Sequence, residues 1–329
     1  MATWSERRLI EKISQAKQGA AQGLITSIGD DCCEVAANGS WLISTDTLVD
    51  SVHFDSTFHP PHLLGRKSIA VNLSDIAAMG GRPRFVQLSL CLPENMEWEW
   101  LSSYLDGVFE ILGEFDTALV GGDTVKGRDL VISVTVFGEP LASGAVYRNG
   151  AREGDTVWVS GSLGSAGCGL ELLVGEKTNP GKIDLSPLQE LLDAHLDPEP
   201  CIHLGMDLAR SGMVTAMQDI SDGLATDLAH ICMASGVSAH VLADKLPSLP
   251  QLDSAALALG LKSEDLMLRS GEDYQLVFTV AEGREEEFSR FMEKYDWELT
   301  NIGTIHAGQG VFLERESGTE EISFQGYEH

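Results

Sequence analysis

The sequence predicts a mixed α/β fold (α+β) in two domains, and three observations carry that expectation. The chain has 329 residues, more than the roughly 250–300 at which one hydrophobic core stops growing. Short strand-like apolar runs alternate with longer segments of helical periodicity on both sides of its middle. Residues 140–150 are rich in Gly, Ser, Asn and Pro, the signature of a connecting segment. The expected domains are 1–142 and 143–329.

Thr3 followed by Glu6 forms a capping box, and Leu9, Ile10 and Ile13 give one apolar helical face, so a short helix opens the chain. Residues 41–43 and 52–54 read as short strands flanking the polar run Ser44-Thr45-Asp46-Thr47, which is expected in or beside a bend. Over 62–79 the apolar residues Leu63, Leu64, Ile69, Val71, Leu73, Ile76 and Met79 suit a buried helix, closed by Gly80 and Gly81. Asp75 is then an acid inside an apolar helix. Strands at 85–92 and 130–137 bracket a helix at 100–112 and a short strand at 118–120 that ends in Gly121-Gly122. In the second half, strands are expected at 156–160, 215–218, 274–280 and 299–305, with helices near 164–173, 223–235 and 284–295. There is no short internal repeat.

The charge is unusual. Fifty acids against 22 bases leave a formal net charge of −28, which repels nucleic acid and anionic membrane surfaces. An anionic ligand would have to be held through recruited cations, because basic side chains are few. Six cysteines show neither zinc-site spacing nor a compact disulfide frame, which suits a reducing compartment. The first residues lack an apolar core of signal-peptide length, and no run of about 18 apolar residues occurs. The expected location is cytoplasmic.

Four acidic motifs fall at expected element ends: Gly29-Asp30-Asp31, Ser44-Thr45-Asp46-Thr47, Gly121-Gly122-Asp123-Thr124 and Asp219-Ile220-Ser221-Asp222-Gly223. Asp75 makes a fifth acidic position. Each motif alone reads equally as a turn or a helix cap. Converging carboxylates repel by about 4 kcal/mol per pair at 4 Å and an effective dielectric of 20, so a cluster of them calls for counter-cations. Hard oxygen donors select magnesium or calcium, and carboxylates on separate loops suit magnesium shared with phosphates. The EF-hand pattern is absent.

Gly161-Ser-Leu-Gly164-Ser-Ala-Gly167 follows a strand and opens a helix, where amides could face a phosphate, although a tight strand-to-helix turn explains it as well. Neither the P-loop nor the protein-kinase motifs are present. His53 could touch a phosphate or simply be structural. Arg148 could clamp polyphosphate oxygens or form a surface ion pair. Ser270-Gly271-Glu272-Asp273-Tyr274 places two acids and an aromatic before a strand. Cys32 and Cys33 have no neighbouring base and receive no catalytic role.

Taken in order, IGDDC at 28–32, STDTLVDSVHF at 44–54, AVNLSDIAAMG at 70–80, GGDT, YRNGAREGD, SDGL and SGEDYQL resemble the bacterial thiamine-monophosphate kinases. Their superfamily includes the aminoimidazole ribonucleotide and selenophosphate synthetases. The resemblance runs from the first helix to the final GYEH. It implies transfer of the γ-phosphoryl group of ATP onto thiamine monophosphate, with several Mg2+ ions bridging the two anions. By that resemblance Asp30, Ser44, Thr45, Asp46, Asp75, Asp123, Asp219 and Asp222 are metal-binding positions, and Asp75, Asp123 and Asp219 also stand at the catalytic centre. Tyr104, Gly121, Gly122, Arg148 and Ser221 would contact the nucleotide, and His53, Glu272 and Tyr327 would contact thiamine monophosphate. The implied assembly is a homodimer whose first domains pair through an intersubunit β-barrel. A synthetase of the same superfamily with another acceptor, and a non-catalytic metal-binding scaffold, are the competing readings. Selenophosphate chemistry is disfavoured because the N-terminus has no Gly-rich loop carrying a reactive Cys.

Overall fold

The computed structural model describes residues 6–15, 24–26, 34–35 and 39–327. It contains two compact units. The first comprises Met1–Ile76 and Gly81–Pro140, and the second Ala77–Gly80 and Leu141–His329.

In the first unit the order is α1 (Glu6–Gln15), β1 (Leu24–Thr26), β2 (Glu34–Val35), β3 (Leu42–Val49), α2 (Pro61–Ala78), β4 (Arg82–Pro93), α3 (Trp98–Glu114), β5 (Ala118–Gly127) and β6 (Val131–Glu139). Four strands form a sheet in the order β3-β6-β4-β5, antiparallel except for the parallel β4–β5 pair. Thr3 of the expected capping box lies outside the described residues. The run Ser44–Thr47 is not at a bend. It sits within β3, paired with 133–136 of β6. Its Thr and Ser side chains suit a pleated, half-exposed surface, which apolar periodicity does not register. Residues 52–54 form a turn and a single bridge rather than a strand.

Helix α2 begins with Pro61 at its first position, where a missing N–H costs nothing. Leu64, Ile69, Leu73 and Ile76 are buried along it. On α3 the buried residues Leu101, Tyr104, Leu105, Val108, Ile111 and Leu112 recur at three- and four-residue spacing. The two helices touch backbone to backbone. A Cβ at Gly65 would stand 2.0 Å from the Tyr104 carbonyl oxygen, and one at Gly107 would stand 1.9 Å from that of His62. Only glycine allows that approach.

The second unit runs β7 (Thr156–Ser160), α4 (Ser165–Thr178), α5 (Gln189–Leu196), α6 (Ile202–Ser211), β8 (Val214–Asp219), α7 (Leu224–Ser235), β9 (Val237–Leu242), α8 (Leu252–Leu259), α9 (Ser263–Arg269), β10 (Leu276–Val280), α10 (Glu285–Met292), β11 (Leu299–Ala307), β12 (Gly310–Arg315) and β13 (Gly318–Glu321). Seven strands form one sheet in the order β13-β12-β9-β11-β7-β10-β8. Its pairs are antiparallel except for β12 with β9. Val157, Val159, Ala216, Val277 and Ile305 of the sheet bury against Leu224, Leu228 and Ile231 of α7. A separate small core joins Cys168 and Leu172 of α4 to Leu191 and Leu192 of α5 and to Leu252 and Ala255 of α8. Among the described residues no helix is long and apolar enough to cross a membrane.

Candidate functional site

Strand alternation in β3 sorts the STDT run onto two faces. Ser44 and Asp46 turn towards α2: the Ser44 hydroxyl donates to Asp75 Oδ2 at 2.5 Å, and the Asp46 amide donates to Asn72 Oδ1 at 3.1 Å. Thr45 and Thr47 turn to the opposite face, where their hydroxyls bond Thr135 at 2.8 Å and Ser133 at 2.9 Å. Ser44, Asp46 and Asp75 are thus brought together, and the Thr45 side chain is not among them.

Strand β5 continues through the GGDT motif instead of ending before it. A Cβ at Gly122, whose φ is +151°, would lie 1.8 Å from the Leu88 carbonyl oxygen of β4, so this glycine permits the strand approach. Asp123 stands in register with Ser89, which is paired with Ser133, itself the partner of Thr47. It therefore occupies the row of the Thr47 face and is exposed. Tyr104 is buried between α2 and α3. Its ring stacks on Trp100 at 5.8 Å, its hydroxyl shares a 3.0 Å bond with Ser68, and burial drives its pKa far up. His53 lies in the turn after β3, where its Nδ1 accepts the Val49 amide at 3.1 Å. Nδ1 is therefore unprotonated, and the neutral ring carries its proton on Nε2. Asp30 and the whole GDD motif lie outside the described residues.

In the second unit three chain segments interlock around 219–223. The Glu272 amide donates to the Ser221 carbonyl at 2.9 Å, Tyr274 to Ile220 at 2.9 Å, and Tyr327 to Asp222 at 2.8 Å. Glycines let the backbones meet: a Cβ at Gly271 would be 2.2 Å from the Ser221 carbonyl oxygen, and one at Gly326 would be 2.3 Å from that of Asp222. The non-glycine residues Glu272 and Tyr274 adopt φ of +66° and +47°, a conformation that costs free energy and that the surrounding bonds hold in place. Asp219, Ser221, Asp222, Glu272 and Tyr327 are thereby collected on one side of this unit. Asp219 is buried and ends β8, whereas Tyr327 is half exposed. Arg148 is exposed in the segment before β7. Its carbonyl accepts the Ser235 hydroxyl at the end of α7, and both its charge and that of Asp222 act on His230.

Two buried acids build this arrangement: Asp227, which no sequence motif marks, and Asp273, one of the two acids before β10. Asp227 Oδ2 accepts the amides of Ser221, Asp222 and Gly223, each at 3.0 Å, while Oδ1 accepts Gln218 Nε2 at 2.7 Å. Burial, and then the charge of Asp219, push its carboxyl up to about 8 against the pull of those amides. Asp273 accepts the amides of Gly164 at 2.6 Å and Ala166 at 3.1 Å. Burial pushes it up to about 7, with the amides opposing and the charge of Glu272 adding to the rise. The amides at the glycine-rich start of α4 therefore bond an internal carboxyl group, and the sequence's alternative of a tight strand-to-helix turn describes this stretch. The thiols of Cys201 and Cys232 are pushed up to about 12 by burial, which leaves them inert.

The donors gathered here are hydroxyl and carboxylate oxygens, the hard ligands that magnesium takes. Among the described residues no three His, Cys, Asp or Glu side chains stand close enough to ligate one ion. Such a donor set fits ions held by one or two carboxylates and completed by phosphate oxygens and water.

Comparison with known proteins follows the same outline. The family model described as AIR synthase related protein, N-terminal domain, matches residues 29–139, and the corresponding C-terminal domain model matches 152–316. The thiamine-monophosphate kinase of Haemophilus influenzae is 36% identical over 311 residues, covering 93% of this chain and 91% of the relative. The chain belongs to the thiamine-monophosphate kinase family. Among solved members, the thiamine-monophosphate kinase of Stenotrophomonas maltophilia superposes with a TM-score of 0.81 at 35% identity, covering 95% of this chain and 98% of that one. A structure described as AaThiL complexed with AMPPCP and TMP matches at 33% identity and a TM-score of 0.75, covering 96% and 95% of the two chains. The mixed α/β fold is therefore that of thiamine-monophosphate kinases.

Proposed function

We infer that the protein phosphorylates thiamine monophosphate to thiamine diphosphate at the expense of ATP. The structural observation that carries this reading is the interlocking of 219–223 with Glu272 and Tyr327, which sets metal-type oxygen donors beside residues suited to an organic cation. A phosphate oxygen of thiamine monophosphate attacks the γ-phosphorus. The bond to the β-phosphate oxygen breaks, and its electron pair leaves with ADP. That nucleophile is already ionised near neutral pH, so no general base is needed. Bound Mg2+ would neutralise the two anions and stabilise the charge that shifts to the leaving oxygen.

The residues divide the work. By resemblance Ser44, Thr45, Asp46, Asp75, Asp123, Asp219 and Asp222, with Asp30, would hold the ions, Thr45 by its backbone because its side chain turns to the other face of β3. Asp75, Asp123 and Asp219 are the members of that set at the reacting phosphates. Gly121, Gly122, Arg148 and Ser221 position the nucleotide, the glycines by exposed backbone and Arg148 by its guanidinium. Tyr104 belongs to this group by resemblance, and its burial makes it a support of α2 against α3. His53, presenting Nε2–H, orients the substrate phosphate as a donor, while Glu272 and Tyr327 receive the cationic thiazolium and its aminopyrimidine. Domain 1–142 is the ATP- and magnesium-binding domain, and domain 143–329 supplies the rest of the active site. The uncovered sheet face bearing Thr45, Thr47, Ser133 and Thr135, with exposed Ile43 and Val125 at its margins, supports a homodimer that pairs the first domains into a barrel. The location that suits this chemistry is the cytoplasm.

The test is a coupled assay of ADP release with Mg-ATP and, separately, thiamine monophosphate and the acceptors of the related synthetases. ADP release that depends on thiamine monophosphate alone is expected. Release with another acceptor, or with none, would replace this reading.

A further inference from the structure

A buried imidazole backs the residue proposed to receive the substrate's organic cation. His195, on the last turn of α5, is 1% exposed, and its Nδ1 lies 3.1 Å from Glu272 Oε2. The sequence builds this contact through two glycines of α4. A Cβ at Gly169 would stand 2.0 Å from the Leu191 carbonyl oxygen and 3.2 Å from His195 Cβ, so α5 rests directly on α4. A Cβ at Gly167 would stand 2.2 Å from Ser270 Cβ, so the segment leading to Glu272 rests on the first turn of the same helix. The start of α4 thus seats both the 270–272 segment, at Gly167, and α5, at Gly169.

Glu272 is held at both ends. Its amide is fixed to the Ser221 carbonyl at 2.9 Å and its backbone sits at φ +66°, while one carboxylate oxygen faces His195. A carboxylate side chain otherwise samples several rotamers, and ordering it on binding costs free energy that a preformed contact removes.

Resting on the proposed function, we propose that His195 is a positioning residue whose Nδ1–H faces Glu272 Oε2 at ion-pair distance, and that this clamp presents Oε1 to the cationic, amine-bearing part of the acceptor. The clamp contributes to acceptor affinity and leaves the nucleotide untouched. It also favours an acceptor with a positively charged ring over a neutral phosphomonoester of equal size.

Steady-state kinetics on the full chain, varying thiamine monophosphate and Mg-ATP separately, test this with His195→Phe, His195→Asn, Glu272→Gln and the double variant His195→Phe/Glu272→Gln. Asn can supply an N–H near the position of Nδ1, whereas Phe fills the space without a donor. His195→Phe should raise KM for thiamine monophosphate about tenfold with KM for ATP within twofold, and His195→Asn should recover most of that loss. The double variant should be no worse than Glu272→Gln alone, because the imidazole acts only through that carboxylate. An unchanged acceptor KM in His195→Phe, equal losses in the Phe and Asn variants, or additive losses in the double variant would each overturn the clamp. Circular dichroism melting of each variant identifies any loss due to unfolding. An inactive parent protein would instead overturn the proposed function itself.

Discussion

The Ser44 hydroxyl donates to Asp75 Oδ2 at 2.5 Å, tying the middle of strand β3 to the helix that crosses behind it. Asp75 is only half-buried while its neighbours Ser74 and Ile76 are buried, so its carboxylate is directed by the strand and not by the core. Asp75→Asn keeps the shape and the bond to Ser44 but removes the charge. It should lower kcat by about a hundredfold or more while changing unfolding free energy by less than about 1 kcal/mol. Turnover at saturating magnesium alongside a urea unfolding curve checks both parts.

Asp227 takes three backbone amides of the loop that carries Ser221 and Asp222. Replacing it with Ala leaves those buried amides without an acceptor, and each buried polar group left unsatisfied costs about 1–3 kcal/mol before relaxation. Asp227→Ala should therefore lose several kcal/mol of stability and weaken Mg-ATP binding more than Asp227→Asn, which keeps one acceptor. Calorimetric titration with Mg-ATP and thermal unfolding of the two variants measure the difference.

His53 accepts the Val49 amide through Nδ1, which leaves Nε2–H as its outward donor. His53→Ala should raise KM for thiamine monophosphate about tenfold, the loss of roughly one charge-assisted hydrogen bond, with kcat within twofold. A large fall in kcat at unchanged KM would give the ring a part in the chemistry.

Asp273 yields a pH dependence. Its folded pKa is raised to about 7 from the ordinary 3.8, chiefly by burial. The native state then binds more protons than the unfolded state between those values, so this group makes stability fall as pH rises from about 4 to about 7, with no further change above. Asp273→Asn cannot titrate and should lack that component. Urea midpoints of parent and variant at intervals from pH 4.5 to 8 should converge or cross towards neutrality. A constant difference across the range would place the proton elsewhere.

Gly65 and Gly107 permit the α2–α3 contact. Gly107→Ala would drive a methyl to 1.9 Å from the His62 carbonyl oxygen, and overpacking of this kind costs about 1–3 kcal/mol, sometimes more. Gly113→Ala, where a Cβ meets nothing within 4 Å, is the control and should be neutral or slightly stabilising.

Much of this architecture is legible in the residues. Apolar runs such as 156–160 and 85–92 mark their strands because burial forces the pattern, and Gly80 marks the end of α2 because its left-handed φ of +64° favours glycine. What escaped reading has physical reasons. The STDT run is a strand whose exposed face is Thr rather than an apolar row, and β5 runs on past Gly122 because its neighbour β4 needs the room there. Asp227 and Asp273 look like ordinary turn and cap acids, and only the fold shows that each is buried on a set of amides. Asp227 carried one local signal, an acid in the first turn of a helix after Ser-Asp-Gly. His195 carried none, since a lone His on an apolar helix face does not announce a partner 77 positions away.

The γ-phosphoryl group should pass from ATP to the phosphate of thiamine monophosphate. Phosphorus NMR of the protein with Mg-ATP and thiamine monophosphate follows both products at once. Thiamine diphosphate and ADP should appear in equal amounts, with no inorganic phosphate and no reaction when magnesium is chelated. Inorganic phosphate and ADP without thiamine diphosphate, or spectra that do not change over hours, would contradict that transfer.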